Sequence, residues 1–308
     1  MLGRLARPGT AELFGTHGTG RPSPITVAEG RLVVRGTVRR LSTRHRGAVR
    51  GAVTGGGPAP RPEDGRSEAD PTGDGPGPLA FLCAMPLELK PLRRRLALRD
   101  EPVGDLRLQR GRLDQRRVVA AVTGMGTARA RAVCRQVLDA VAPGHVVMVG
   151  IAGALDDVTP IAALVVPELV LDAATGAAHR PAPLGPLRAG GMLWTSDAFI
   201  TDPDELAALR ARGVTALDME TAAVAAECAS AGVAWSVVRA ISDRATEPVF
   251  DNEVFARTTD EGQPDREAVA RFLARHPTRV PRMVRLAADA KRAAEAAAAA
   301  AVAACAAT

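Results

Sequence analysis

The sequence predicts an α/β protein, a three-layer sandwich in which helices flank a central mixed, mostly parallel β-sheet. From Leu79 onwards, short apolar runs of strand length alternate with segments of helical length. Runs such as Leu79–Met85 are continuously apolar, which is typical of strands that are buried on both faces of a sheet. The alternation continues to about residue 285, so one sheet accounts for most of the chain.

The elements follow one another in a regular order. Pro86 suits the first turn of a helix, Thr127 suits a helix N-cap, and acids follow Asp202 where another helix begins. Strands are expected over residues 79–85, 116–126, 145–155, 163–171, 191–200, 213–217 and 234–242. Helices are expected over residues 86–98, 127–141, 202–212, 220–232, 265–276 and 280–304.

Three regions differ in composition. Residues 1–78 are rich in Gly, Pro and Arg and bury too little apolar surface to offset their ordering entropy, so a disordered basic tail is expected. Within that tail, residues 25–40 are rich in valine and could form a hairpin. Residues 79–285 are expected to form the folded domain, and residues 286–308 an alanine-rich C-terminal helix.

Charge and cysteine content exclude several classes of protein. The tail holds 12 arginines and 7 acids, and this excess accounts for most of the net charge of +6, so a nucleic-acid-binding groove on the folded part is not expected. No segment is both long and apolar enough to be expected to span a membrane, and no secretion signal is expected at the N-terminus. The four cysteines are far apart, which indicates buried thiols in a reducing cytoplasm and no zinc site.

Acidic residues stand where the predicted strands end. In open α/β sheets, ligands bind beyond the carboxyl ends of the strands, so these positions are the candidates for a site. Glu88, Asp218, Glu220 and Asp243 all lie at or just after strand ends. The glycine turn at residues 124–126 is a weak match to a dinucleotide-binding loop, because Arg129 stands where the third glycine is needed.

Two of these acids allow different interpretations. Asp218 could cap the helix that follows it or could bind a ligand. Glu220 lies between an apolar strand and an alanine-rich helix, and its own segment supplies no Lys or Arg to neutralise it. A carboxylate in that setting needs hydroxyl or amide donors, and a bound sugar diol offers two hydroxyls.

These motifs give the sequence a family resemblance. In order and spacing, residues 79–285 resemble the nucleoside phosphorylase/nucleosidase superfamily, and most closely its methylthioadenosine/S-adenosylhomocysteine nucleosidase branch. The motifs that carry the resemblance are AMPLELKPL, GMG, GIAGAL, SDAFI, LDMETAAVA and VRAISD. The resemblance implies a nucleoside phosphorylase-like fold and cleavage of a purine nucleoside.

The resemblance also implies roles for the acids. Glu88 matches the glutamate that activates the attacking water, and Glu220 matches the acid that binds the ribose hydroxyls. Asp243, preceded by Ser242, matches the aspartate that helps to protonate N7 of the purine. Cleavage of an N-glycosidic bond needs an acid for the leaving base and a base for the water on the opposite sugar face. To donate a proton near neutral pH, Asp243 should be partly desolvated.

Further residues match substrate contacts of the family. Met219 corresponds to the methionine against the ribose, and Met125 to an apolar residue near the 5′ substituent. Phe199 and Ile200 correspond to the pair that lines the base pocket. The remaining candidates for substrate binding are Asp218, Ala152 and Gly153.

Departures from the family pattern bear on the nucleophile. Ile151 stands where family nucleosidases often have serine, and the segment around it offers no hydroxyl or Arg to hold phosphate, so water is the expected nucleophile. The alternatives are a phosphorylase, a hydrolase of futalosine-type or adenosylated lipid nucleosides, and a non-catalytic nucleoside-binding module. The loop over residues 243–265 is expected to cover part of the site. By resemblance, a homodimer is expected, without metal or cofactor.

Overall fold

The structure is a computed structural model of the 308-residue chain. It describes residues 77–245 and 280–307, the backbone of three short strands between residues 13 and 33, and the single residues Glu267, Arg271, Arg275 and Thr278. Most of the helix expected over residues 265–276, most of the loop expected over residues 243–265 and most of residues 1–78 lie outside the described residues. The chain divides into two compact units, Met1–Glu68 and Ala69–Thr308.

The first unit contains a small antiparallel sheet. Its strands are β1 (Leu13–Gly15), β2 (Ser23–Ala28) and β3 (Arg31–Val33), paired in that order. The pairing of β2 with β3, in which Thr26 opposes Val33, is the hairpin that the valine content indicated. This segment therefore forms strands, whereas disorder in the rest of residues 1–78 stays a prediction.

The second unit is built on an 11-stranded sheet. Its strands are β4 (Leu79–Cys83), β5 (Arg99–Asp100), β6 (Leu108–Leu113), β7 (Arg116–Val122), β8 (His145–Ala154), β9 (Leu164–Val165), β10 (Leu169–Asp172), β11 (Ala178–His179), β12 (Met192–Thr195), β13 (Val214–Asp218) and β14 (Ala234–Asp243). The order across the sheet is β11-β10-β12-β13-β8-β4-β7-β6-β5, with β14 also paired to β8 and β9 paired to β14.

Parallel pairing dominates the centre of this sheet. One parallel group consists of β10, β12 and β13, and the other of β7, β4, β8 and β14. An antiparallel contact between β13 and β8 joins the two groups, and the other antiparallel pairs involve the edge or short strands β5, β6, β9 and β11. The predicted mixed, mostly parallel sheet is confirmed.

Helices cover both faces of the sheet, which confirms the predicted three layers. They are α1 (Pro86–Arg95), α2 (Thr127–Val141), α3 (Pro203–Ala211), α4 (Thr221–Ala231) and α5 (Val280–Ala306). The helices α2 and α4 share one apolar core with the sheet, and α1 and α5 share the other. A third, smaller core lies between α3 and β13.

Local signals explain where these helices begin and end. Pro86 and Pro203 occupy first turns, where a missing N–H is not needed. Asp202 caps α3, because its carboxylate accepts the backbone N–H groups of Asp204 and Glu205. Gly232 ends α4 in the left-handed region, with φ of 68°, which glycine adopts without steric cost.

In the second unit, three of the strands were not predicted from the sequence, and two others were predicted as one strand. The strand β6 carries Gln and Arg beside its leucines and lacks the β-branched residues that mark the central strands, so its pairing with β7 was not foreseen. The two-residue strands β5 and β11 give no pattern of their own. The predicted strand over residues 163–171 is two strands, β9 and β10, with Pro167 between them.

The C-terminal helix belongs to the core of the second unit. Because α5 begins at Val280, the predicted boundary between residues 285 and 286 falls inside one helix. Its alanine face packs against β14, β8 and α1, where small side chains let the helix approach the sheet closely. Although α5 has 27 residues, no described helix is both long and apolar enough to cross a membrane.

Replacing Ala297 with Leu should destabilise the fold. Ala297 is fully buried at the contact of α5 with the sheet, so three added heavy atoms would overpack it and lower the free energy of unfolding by about 1–3 kcal/mol. Urea unfolding followed by circular dichroism measures this change. Ala303→Leu, on the exposed side of the same helix, should change it by less than about 0.5 kcal/mol. Equal effects of the two substitutions would contradict the described packing.

Candidate active site

All of the residues proposed from the sequence line a single cavity of the second unit. It lies beyond the carboxyl ends of β4, β8, β12, β13 and β14, where α/β sheets bind ligands. The proposed residues in its wall are Glu88, Met125, Ala152, Gly153, Phe199, Ile200, Asp218, Met219, Glu220, Ser242 and Asp243.

Glu88 is held at the floor of the cavity by backbone amides. It lies in the first turn of α1, and its Oε2 accepts the N–H of Met85 at 2.8 Å, just after β4. Its Oε1 accepts the N–H of Ile151 in β8, also at 2.8 Å. Burial raises the pKa of Glu88, whereas nearby Arg239 and these amides lower it. The side chain is therefore fixed in orientation, and its proton affinity is increased.

Gly150 makes room for this arrangement. A Cβ at position 150 would overlap Glu88 Oε1 and the guanidinium of Arg239. Any other residue at this point of β8 would push the carboxylate or the guanidinium out of place. Gly150, the first glycine of the GIAGAL motif, is thus needed because two side chains approach the backbone closely, and not because the chain turns there.

Arg239 is the main feature of the site that sequence reasoning missed. It extends from β14, is completely buried, and forms ion pairs with three carboxylates. Its Nη2 lies 2.5 Å from Asp218 and 3.3 Å from Glu220, and its Nη1 lies 3.6 Å from Glu88. Burial alone would lower the pKa of Arg239, but the three carboxylates raise it overall. The sequence did contain a sign of this residue, because Arg239 belongs to the VRAISD motif and stands four residues before Asp243.

Glu220 therefore has a cationic partner, contrary to the expectation based on its own segment. That partner comes from β14, which is distant in sequence but adjacent in space. The other carboxylate oxygen of Glu220, Oε1, accepts the N–H of Gly126 at 3.0 Å. Burial raises the pKa of Glu220 to about 8, with Arg239 opposing the shift and Asp218 adding to it.

Asp218 is engaged by protein donors on both oxygens. Its Oδ1 accepts the hydroxyl of Thr195 at 2.6 Å, and its Oδ2 accepts the Thr221 N–H at 3.2 Å, the Thr221 hydroxyl and Arg239. The N-cap of α4 is Glu220 and not Asp218, which the sequence had offered for that position, but Asp218 still accepts the N–H of Thr221, the first residue of the helix. This bonding indicates that Asp218 orients Arg239 and α4, and its role in substrate binding stays a prediction.

A β-bulge brings Ser242 and Asp243 to the cavity together. The register between β14 and β8 shifts between Ile241 and Asp243, so two neighbouring residues that would normally face opposite sides both line the wall. The hydroxyl of Ser242 donates to Asp243 Oδ1 and lies 3.3 Å from the carbonyl oxygen of Ala152. Gly153 stands opposite, where a Cβ would lie 3.5 Å from Asp243 Oδ2.

The rest of the wall is largely apolar. Met125 and Met219 line the cavity at the ends of β7 and β13, and Phe199 and Ile200 line it after β12. Met85 and Ile151, which stand at the strand ends that the sequence singled out, also line the cavity. The remaining lining residues are Ala84, Ala154, Trp194, Ser196, Ala198, Thr201, Leu217, Arg244 and Ala245. Across the described ranges, no three His, Cys, Asp or Glu side chains are placed to hold a metal ion.

This combination limits what the cavity can bind. Carboxylates that come from separate strand ends can hold hydroxyl groups and move protons, while the apolar wall suits a flat ring. The fold and the cavity define an α/β protein that acts on a small molecule with both a polar and an aromatic part. A family model described as Phosphorylase superfamily matches residues 78–186 and 170–285, and the chain belongs to this family.

Two curated relatives are nucleosidases of one kind. The 5′-methylthioadenosine/S-adenosylhomocysteine nucleosidase of Geobacillus thermodenitrificans is 28% identical over 199 residues, which cover 54% of this chain and 84% of the relative. The enzyme of the same name from Geobacillus kaustophilus is also 28% identical over 199 residues, with 54% and 85% covered.

Solved structures share the fold at lower identity. The 5′-methylthioadenosine/S-adenosylhomocysteine nucleosidase of Helicobacter pylori superposes with a TM-score of 0.55 at 17% identity and covers 73% of this chain and 96% of its own. The futalosine hydrolase of Helicobacter pylori gives a TM-score of 0.54 at 18% identity, with 72% and 94% covered. At these identities, the structural similarity establishes the common fold.

Removing the charge of Arg239 should strongly destabilise the protein. Arg239→Leu would leave three buried carboxylates without their cation, and breaking such a pair costs about 3–5 kcal/mol in the free energy of unfolding. Guanidinium unfolding curves measure the loss. Arg99→Leu, at an exposed arginine in β5, is the matched control and should change the free energy by less than about 0.5 kcal/mol. A stable Arg239→Leu protein would show that the carboxylates do not need this partner.

The raised pKa of Glu220 should make stability depend on pH. Its folded-state pKa of about 8 exceeds the ordinary value of 4.5, so the native state binds a proton more tightly than the unfolded chain does between these pH values. The free energy of unfolding should therefore fall as pH rises from about 5 to about 8. Urea unfolding at a series of pH values measures this fall, which Glu220→Gln should reduce. An unchanged slope in the variant would contradict the assignment to Glu220.

Proposed function

We propose that the protein hydrolyses the N-glycosidic bond of a 5′-modified purine nucleoside, of the methylthioadenosine/S-adenosylhomocysteine type, and releases the purine base. The observation that carries this proposal is the convergence of Glu88, Glu220 and Asp243 on one cavity, although they lie far apart in the chain. The names of the Geobacillus relatives support the choice of substrate.

Glu88 acts as the base that activates water. Its carboxylate is held by the amides of Met85 and Ile151, so its orientation is set before a ligand enters. A pKa above the ordinary value brings a glutamate closer to the operating pH, which makes it a more effective general base. The guanidinium of Arg239 at 3.6 Å still favours the ionised form that takes up the proton.

Asp243 acts as the acid for the departing purine. It comes from β14, whereas Glu88 comes from α1, so the two groups approach a ligand from different elements. The Ser242 hydroxyl orients Asp243 through Oδ1, and both residues line the cavity. Proton donation to the base balances the negative charge that develops as the glycosidic bond breaks.

Glu220 binds the ribose hydroxyls, with Met219 beside it against the sugar. The amide of Gly126 and Nη2 of Arg239 hold the Glu220 carboxylate. Fixing the sugar diol positions the anomeric carbon between the water that Glu88 activates and the base that Asp243 protonates. Phe199 and Ile200 then contact the purine, and Met125 contacts the 5′ substituent.

Water is the nucleophile because the site is poorly suited to phosphate. Ile151 presents no hydroxyl, and its N–H is already donated to Glu88. The guanidinium of Arg239 is surrounded by three carboxylates, which would repel a phosphate dianion. A carboxylate at the attacking position likewise disfavours an anionic nucleophile and favours water.

The cellular location and the oligomeric state are proposed as well. We infer a cytoplasmic enzyme, which the four buried free cysteines support, because buried thiols are typical of reducing compartments. We also infer a homodimer in which the second subunit borders the 5′ end of the substrate, on the resemblance to the nucleosidase family. A purine nucleoside is the partner molecule, and the reaction needs no cofactor.

Adenine release from methylthioadenosine tests the function. In phosphate-free buffer, the protein should release adenine, measured by liquid chromatography. Glu88→Gln and Asp243→Asn each remove a proton-transfer group and should lower kcat by about 100- to 10,000-fold. Glu101→Gln and Asp105→Asn, at exposed acids outside the cavity, are the matched controls and should leave kcat within about twofold.

Each alternative gives a different result in this assay. Adenine release that requires phosphate and yields ribose 1-phosphate would identify a phosphorylase instead. Release of base from another nucleoside but not from methylthioadenosine would change the substrate and keep the reaction. Full activity of Glu88→Gln or Asp243→Asn would overturn the assigned roles.

A further inference from the structure

A contact at the rim of the cavity links two of its walls. Asp197, in the segment that follows β12, lies against Thr127 at the start of α2, 70 residues away in the sequence. The Thr127 N–H donates to Asp197 Oδ1 at 2.7 Å, and the Thr127 hydroxyl donates to Oδ2 at 2.5 Å. Both carboxylate oxygens are thus engaged by one residue of another element.

The start of α2 depends on this distant carboxylate. Its N-cap is Gly126, which has no side chain to accept the free N–H groups of the first turn. Asp197 supplies that acceptor, and its negative charge suits the N-terminal end of a helix. Gly126 has a φ of 92°, which favours glycine, and a Cβ at this position would make a tight contact of 3.3 Å with Asp197 Oδ1.

Each side of this contact continues into the cavity. On one side, the N–H of Gly126 donates to Glu220 Oε1 at 3.0 Å, and Met125 lines the wall. On the other side, Phe199 and Ile200 line the wall two and three residues after Asp197. Asp197 itself is exposed and does not line the cavity, so it acts through these neighbours.

We infer that Asp197 is a positioning residue of the site: it holds the segment with Phe199 and Ile200 against the turn whose Gly126 amide orients Glu220. The inference rests on the proposed function, in which Phe199 and Ile200 contact the base and Glu220 holds the sugar. A ligand that spans both walls needs their separation to be fixed, and a misplacement of about 1 Å is enough to reduce the rate about 100-fold.

Asp202 provides a matched control in the same segment. Like Asp197, it is an exposed aspartate that accepts two bonds at a helix start, from the N–H groups of Asp204 and Glu205 at 2.8 and 3.0 Å. It caps α3, the helix that follows it directly, and within residues 77–245 it makes no hydrogen bond to α2. Asp202→Ala therefore removes the same kind of bond without separating the two walls.

The test compares Asp197→Ala, Asp197→Asn and Asp202→Ala in the full chain. With methylthioadenosine, we expect kcat/KM of Asp197→Ala to fall about 10- to 100-fold, with kcat lowered and KM raised, because both Glu220 and the base wall are affected. Asp197→Asn keeps an oxygen for the Thr127 N–H and should recover part of this loss. Asp202→Ala should stay within about twofold of the unchanged protein.

Hydrogen exchange measured by mass spectrometry gives a second result that does not depend on activity. Asp197→Ala should speed exchange in residues 124–130 and also in residues 196–201, whereas Asp202→Ala should speed it only at the start of α3. If the unchanged protein cleaves no nucleoside, the proposed function fails while this measurement still tests the contact.

Three outcomes would overturn the inference. They are unchanged kinetics in Asp197→Ala, equal losses in Asp197→Ala and Asp202→Ala, or exchange in residues 124–130 that Asp197→Ala leaves as it was. Should Asp197→Ala unfold, Thr127→Ala removes only the hydroxyl bond and should show a smaller loss of kcat/KM in the same direction. Unchanged kinetics in that variant would then count against the inference.

Discussion

The site depends on one fully buried arginine that binds three carboxylates. Glu88, Asp218 and Glu220 come from different elements, and none of them could stay buried and charged without a partner. Arg239 suits this position because its planar guanidinium remains charged and offers several donors in fixed directions. Three carboxylates share this one cation. Burial is the main cause of the raised pKa values of Glu88 and Glu220, and the neighbouring acids add to the shift of Glu220.

The topology of the sheet explains how these groups meet. The strand β8 lies at the junction of the two parallel groups, with β14 on one side and both β4 and β13 on the other. Glu88 follows β4, Asp218 ends β13 and Glu220 comes two residues later. Arg239 and Asp243 belong to β14, so one junction gathers all five. Small residues in β8 keep the space open, and Gly150 is the clearest case, since any side chain there would displace Glu88 or Arg239.

Backbone donors and neighbouring elements give the acids their orientation. Two amides fix Glu88, the Gly126 amide fixes one oxygen of Glu220, and a bulge in β14 turns Ser242 and Asp243 to the same cavity. Asp197, which comes from another wall of the cavity, holds the turn at Gly126 by accepting the N–H of Thr127. Such fixed orientations matter for catalysis because the stabilisation of a transition state depends on where the catalytic groups and hydrogen-bond donors are held.

The sequence alone determined the sheet of alternating elements, the candidate residues at its strand ends and the family resemblance, because these depend on hydrophobic pattern and local spacing. It did not reveal β5, β6 or β11, whose pairing is decided by neighbours rather than by their own composition. It also did not reveal the cation beside Glu220, whose own segment supplies none, since Arg239 is close to Glu220 only after β13 and β14 are brought to either side of β8. Which charges share one buried space is decided by tertiary structure, because electrostatic interaction depends on distance through the fold and not on distance along the chain.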